Sequence, residues 1–172
     1  GKALDNRAGC VTIMKALEYL QDYKFDGELY LAFNKGEEVG LVGAKGTAWD
    51  INPDCAIIVD VTFGNEAIPG SDTIKVGDGP AILIGAAVNR KMQQQLTEIA
   101  DENNIKYQIE VAPRGSGTET DIVQITRGGT KTCLISIPLL NMHSPVEALD
   151  IKDLEASAKL MALFAAKEGR EA

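Results

Sequence analysis

Glu37 and Glu38 stand side by side in the stretch Phe33-Asn34-Lys35-Gly36-Glu37-Glu38-Val39-Gly40-Leu41-Val42-Gly43-Ala44. The stretch follows a short apolar run, Leu29-Tyr30-Leu31-Ala32-Phe33, that reads as a buried strand. Adjacent carboxylates at the end of such a strand are costly unless something positive meets them. They suit a metal pocket in which one carboxylate binds the ion and its neighbour moves a proton. A solvated acidic turn is the competing reading, because charged side chains are mostly exposed. Three further groups carry possible ligand chemistry. Asp60 interrupts the apolar run 55–61, Asp5 precedes the first helical pattern, and His143 is the one histidine. Carboxylate plus imidazole suits Zn, Co or Mn. Each also has an ordinary use alone: Asp5 as a helix N-cap, Asp60 as a strand-end cap, His143 as a structural loop residue. Gathered at one sheet edge, the carboxylates would repel one another unless a cation neutralised them.

The elements that would gather them follow from periodicity. Short apolar runs at 29–33, 55–61, 81–84, 107–111 and 132–137 predict five strands. Helices are predicted from Asp5 onward, over 41–49, 89–103 and 121–126, and from Asp150 to near the C-terminus. The first would bury Ala8, Val11, Ile13, Met14, Leu17 and Leu20. Residues 64–79, rich in glycine, predict a long irregular loop. Strands alternating with helices give an α/β fold, a mostly parallel sheet flanked by helices. In such sheets the site lies beyond the C-terminal strand ends, where Glu37, Glu38, Asp60 and His143 fall.

Composition narrows the function classes. A chain of 172 residues, 45 % apolar, fits one domain with a sizeable core. No run approaches the roughly 20 apolar residues of a membrane span. A net charge of −8 with no basic stripe argues against nucleic acid and suits a cation site. Cys10, Cys55 and Cys133 lie far apart without CxxC spacing and read as buried free thiols, which implies a reducing, cytoplasmic setting. The N-terminus carries no signal-peptide pattern and no initiator Met, so a processed chain or an excised piece is expected.

Lys2-Ala3-Leu4-Asp5-Asn6-Arg7-Ala8-Gly9, Glu37-Glu38-Val39-Gly40, Val59-Asp60-Val61, and Ile137-Pro138 through His143-Ser144-Pro145-Val146-Glu147 resemble, in order and spacing, the tetrahedral dodecameric metalloaminopeptidases. These are the glutamyl- and leucyl-type aminopeptidases sometimes labelled cellulases or endoglucanases. The resemblance runs over essentially the whole chain. It implies that Asp5 bridges two divalent metal ions, Zn or Co, and that Glu37 is the general base and acid. It implies that Glu38 and His143 complete one metal site and that Asp60 belongs to the other. It also implies peptide substrates and a homo-oligomeric full-length protein.

The chain departs from the family pattern in four places. The family takes a further metal-binding His, with an Asp two residues on, from a segment before the Asp5 motif; here His143 is the sole histidine. The family's small inserted β-domain has no counterpart. The Gly-Thr-Asp motif appears as Gly117-Thr118-Glu119-Thr120-Asp121, which leaves pocket roles for Glu119 and Asp121 open. Gly36 stands where many members carry Gln.

Residues 1–172 are therefore expected to be the larger, C-terminal part of a zinc-peptidase-like catalytic domain that lacks its N-terminal segment and inserted domain. Alone, it would hold one ion or none and be inactive. A glycoside hydrolase is the first rival. It needs two carboxyl groups facing each other across a bond, about 5–9.5 Å apart, which the neighbours Glu37 and Glu38 would not supply. A non-catalytic metal-binding or assembly module is the second.

Overall fold

The computed structural model describes residues 1–66 and 72–171. Residues 67–71 of the expected long loop lie outside the described residues. The chain order is α1 (Leu4–Leu20), α2 (Val42–Ile51), β1 (Cys55–Phe63), β2 (Ala81–Gly85), α3 (Arg90–Glu102), β3 (Gln108–Ala112), α4 (Thr120–Val123), β4 (Lys131–Leu139) and α5 (Ile151–Glu171). The described strands form one sheet in the order β1-β4-β2-β3. β4 is buried at every position after Lys131, as a central strand covered on both faces must be. It runs parallel to β1 along its whole length, from Cys55 opposite Lys131 to Phe63 opposite Leu139. β2 runs parallel to β3 and meets β4 antiparallel through Ala81 opposite Ser136 and Ile82 opposite Ile135.

Side chains of successive strand residues leave on opposite faces, and two apolar clusters record this. Val59, Ile82, Ile135 and Ile137 join α1, α3 and α5 through Ala8, Leu96, Leu160 and Phe164. Their sequence neighbours Ile58, Leu83 and Leu134 join α2 and α4 through Ala44, Ala48 and Val123. The α/β sheet between helix layers matches the expected class. α3 starts where Asn89 caps it, its side-chain oxygen accepting from the Lys91 and Met92 amides. No helix among the described residues is long and apolar enough to cross a membrane.

Four expectations are corrected. The run 29–33 forms no strand among the described residues, and Leu29, Tyr30, Leu31 and Phe33 are all exposed. An apolar run becomes a buried strand only where a neighbour offers a free edge and a layer covers it. α1 buries the series Ala8, Thr12, Ala16 and Leu20 and turns Val11 and Met14 outward, because its contact with α5 selects small side chains. Thr12 tolerates that burial by donating its hydroxyl to the Ala8 carbonyl at 2.9 Å. Cys10 is exposed, Cys55 is half-buried and only Cys133 is fully buried. Asp60 is not at the end of its strand: β1 continues to Phe63.

The described part of the 64–79 loop is pinned to α5 by one carboxylate. Asp153 is buried and accepts from the Gly77 amide at 2.7 Å and the Gly79 amide at 2.8 Å. Asp153→Ala leaves both donors unpaired, and each such loss costs roughly 1–3 kcal/mol. Urea denaturation should show the midpoint falling by that order, with Asp153→Asn intermediate because one acceptor oxygen survives; an unchanged midpoint refutes the pin.

Candidate metal centre

α1 opens irregularly. Ala3 has φ 49°, Asp5 and Asn6 lie outside helical φ/ψ, and the Asp5–Asn6 peptide is cis. Asn6 serves the helix start: its side-chain oxygen accepts from the Gly9 amide at 2.8 Å, and its amide donates to the Val59 carbonyl of β1 at 2.9 Å. Asp5 is thus not the capping residue, and its carboxylate faces other groups.

The acidic turn is held by its own backbone. The Gly40 and Leu41 amides donate to the Glu37 carbonyl at 3.2 and 3.0 Å, and the Gly43 amide donates to the Lys35 carbonyl at 3.1 Å. Gly40 sits at φ 110°, and a Cβ on Gly43 would strike the Lys35 backbone, so both positions need glycine. Glu38 emerges exposed and Glu37 half-buried. His143 comes from the loop after β4, where Leu140 and Ala148 form an antiparallel bridge, and it sits at φ 61°.

These elements bring Asp5, Glu38 and His143 together. The His143 Nε2 lies 3.2 Å from Asp5 Oδ2 and 3.4 Å from Glu38 Oε1. One ligand atom from each of the three lies within 4.8 Å of the others. Glu37 and Asp60 stand outside that triad. Asp60 is buried in β1, with Oδ1 accepting from the Val61 amide at 2.9 Å.

The electrostatics are those of crowded acids. Asp5 is raised to about 6, chiefly by burial and then by the charge of Glu38. Asp60 is raised to about 7, chiefly by burial, against the opposing Val61 hydrogen bond and with added repulsion from Glu37, Asp5 and Glu119. Burial also pushes Glu37 up, followed by the charges of Glu38, Asp5 and Glu119. A divalent cation reverses each of these penalties, and two carboxylates with one imidazole are a donor set that fits Zn, Co or Mn.

Two further residues shape the site. Glu147 is buried, and its two oxygens clasp two loops: Oε2 accepts from the Leu4 amide at 2.6 Å and the Asp5 amide at 3.3 Å, and Oε1 accepts from the His143 amide at 3.2 Å. It fixes the backbones of two triad members at once. Glu119 accepts from the Asn34 side chain at 2.9 Å, and Asn34 in turn accepts from the Thr47 hydroxyl at 2.7 Å. Its charge reaches Glu37 and Asp60. Asp121 does something different: it accepts from the Ser116 amide, the Ser116 hydroxyl and the Gly117 amide at 2.8–3.0 Å, which locks the loop carrying Glu119. The altered Gly-Thr-Asp pattern was the only sequence signal toward Glu119. Glu147 had none beyond its place in the His143 motif.

Known proteins match along nearly the whole chain. The lysyl aminopeptidase of Pyrococcus furiosus is 34 % identical over 91 % of this chain and 45 % of its own length. An aminopeptidase structure from the archaeon Desulfurococcus kamchatkensis superposes with a TM-score of 0.86 at 36 % identity, over 97 % of this chain and 48 % of that one. The Pyrococcus horikoshii TET1 peptidase, which can assemble into a tetrahedron or a large octahedral shell, matches with a TM-score of 0.79 at 34 % identity, over 94 % and 48 % of the two chains. The chain spans about half the length of the curated relatives it matches. The M42 glutamyl aminopeptidase family matches residues 1–160, and the chain belongs to that family.

Proposed function

We propose that residues 1–172 form the larger part of the catalytic domain of a metal-dependent aminopeptidase that removes N-terminal residues from peptides. The observation that carries this reading is the convergence of Asp5, Glu38 and His143 from three separate segments. Asp5, Glu38 and His143 would hold one divalent ion, Zn or Co, and Asp5 with Asp60 would hold a second. The bound ions supply Lewis acidity toward the scissile carbonyl and lower the pKa of water. Glu37, half-buried among other acids, takes the proton of the attacking water and passes it to the leaving amine. The full-length protein is a homo-oligomer, a reading that the assembly of the TET1 peptidase supports, and it works in the cytoplasm. The glycosidase reading is weaker, because Glu37 and Glu38 share one turn and cannot flank a glycosidic bond.

The ligand inventory sets the test. One site has Asp5, Glu38 and His143; the other has Asp5 and Asp60 and no second imidazole among these residues. Two carboxylates hold Zn or Co less well than a set containing nitrogen. The 172-residue chain is therefore expected to retain about one divalent ion after dialysis, to lose it in His143→Ala, and to show negligible turnover of a chromogenic aminoacyl substrate in added Zn or Co. Retention of no ion overturns the metal reading. Two tightly held ions with turnover like that of the full-length relatives overturns the ligand assignment.

A further inference from the structure

We propose that Glu110 of β3 is a positioning residue for Asp60, acting through the Thr62 hydroxyl on the strand that carries Asp60. Thr62 Oγ1 donates to Glu110 Oε1 at 2.6 Å. The Ser136 side chain of β4 also bonds the Glu110 carboxyl. Both hydroxyl residues are buried, Thr62 at 5 % exposure and Ser136 at 1 %. Their places relative to Asp60 are set by the sheet. Ser136 is the partner of Asp60 in the β1–β4 register, and Thr62 is the next residue of β1 on the face of Asp60. One carboxyl therefore grips the residue opposite Asp60 and the residue beside it.

The grip crosses the sheet. Two strands, β4 and β2, separate β1 from β3 in the sheet order. β1 and β4 pair from Cys55 opposite Lys131 to Phe63 opposite Leu139, whereas β2 meets β4 through Ala81 with Ser136 and Ile82 with Ile135. So short a ladder holds the β2–β3 half loosely against the β1–β4 half, and Glu110 adds a side-chain tie between them beside Asp60. The Asp60 carboxylate is itself held by the Val61 amide at 2.9 Å. That bond lies within β1, so it places the carboxylate on its strand and leaves the placing of the strand to its neighbours. β3 also leads into the loop before α4, which carries Glu119, and Asp60 feels the charge of Glu119. A shift of β3 would alter both the place of Asp60 and the field on it.

A side chain that only filled space here would not need to be an acid. This face of the sheet is apolar: Ile58, Leu83 and Leu134 pack on it, with Ala112 two residues along β3 from Glu110. Burial pushes the Glu110 carboxyl above its ordinary range, against the two hydroxyl bonds that lower it. A buried acid without a cation costs stability that an apolar residue of similar size does not. What the acid adds is geometry, since its two oxygens can fix hydroxyls on two strands at once. The consequence for metal binding rests on the proposed role of Asp60 as a ligand. The placement of Asp60 does not, and it can be read in the metal-free chain.

The Val61 amide is the reporter, because Asp60 is its acceptor. Hydrogen exchange followed by NMR on metal-free residues 1–172 is expected to be at least tenfold faster at Val61 in Glu110→Ala than in wild type, with the amides of β4 within threefold. Glu110→Gln keeps one acceptor oxygen and should fall between. Thr62→Val keeps the shape and removes the hydroxyl, so it should match Glu110→Ala. The double variant should be no faster than either, since both cut the same tie. If Glu110→Ala does not fold, the apolar triple Glu110→Leu, Thr62→Val, Ser136→Ala leaves none of these three groups unpaired and reads the same point. The proposal is overturned by wild-type exchange at Val61 in any of these variants once folded. It is equally overturned by additive effects in the double variant, or by equal acceleration along β1 and β4, which marks general loosening. Failure of the ligand reading shows separately, as unchanged binding of a second cobalt ion in Asp60→Asn, and leaves the exchange outcomes as they stand.

Discussion

Glu147→Ala is expected to weaken binding of the retained divalent ion by about 10–100-fold, the range typical of groups that orient a metal ligand from behind. Glu147 touches no ligand atom of the triad. It acts on the backbone: one oxygen holds the Leu4 and Asp5 amides and the other holds the His143 amide. Removing it takes away the side-chain clasp between the start of α1 and the loop after β4 and leaves the backbone hydrogen bonds between Gly1 and residue 147 as the tie, so the 3.2 Å approach of His143 to Asp5 is held less firmly. It also leaves three partly buried amides without their acceptor, which loosens both segments. Glu147→Gln keeps the shape and one carbonyl oxygen, which can hold one loop but not both, so its affinity should lie between wild type and Ala. Cobalt titration followed by absorbance reads the order directly, and hydrogen exchange in β4 tells local loosening from unfolding. Wild-type affinity in Glu147→Ala would remove Glu147 from the positioning of the site.

The sequence made some of this site legible and hid the rest, for identifiable reasons. Asp5, Glu38 and His143 could be named as candidates because acids and a lone histidine are chemically conspicuous, and grouped because their motifs resemble those of the metalloaminopeptidases; the structure brings the three within reach of one ion. Glu147 was quoted only as part of the His143 motif. A buried carboxylate that accepts backbone amides looks, in sequence, like any surface Glu before a helix. β1 and β4 were readable because their apolar runs do bury on both faces. The same rule misled at 29–33, since periodicity reports what a segment would bury and not whether its neighbour is present. α1 failed more subtly. Its large apolar residues Val11 and Met14 dominate the pattern, but close packing against α5 favours Ala8, Thr12 and Ala16. Hydrophobicity alone does not encode how near two helices must come.

Glu37→Gln and Glu38→Gln, made in the protein extended to the length of its relatives, should separate two neighbours that the sequence presents as a pair. Glu38 lies 3.4 Å from His143 and joins the triad; Glu37 does not. Burial and the charges of Glu38, Asp5 and Glu119 raise Glu37 above the usual carboxylate range, and His143 lowers it. A raised carboxylate is a better proton acceptor, and its conjugate acid can still release the proton to an amine. Gln keeps the volume and hydrogen-bonding reach of Glu37 but cannot carry that proton. The expected result is a fall in kcat of about 10²–10⁴-fold, the usual worth of a positioned acid–base group, with metal content and KM little changed. Glu38→Gln should instead lose metal on dialysis, and its activity should recover in part when Zn or Co is supplied in excess. The distinction rests on this contrast in metal content, so equal loss of the ion from both variants would make Glu37 a ligand and leave the proton without a carrier among the residues named here.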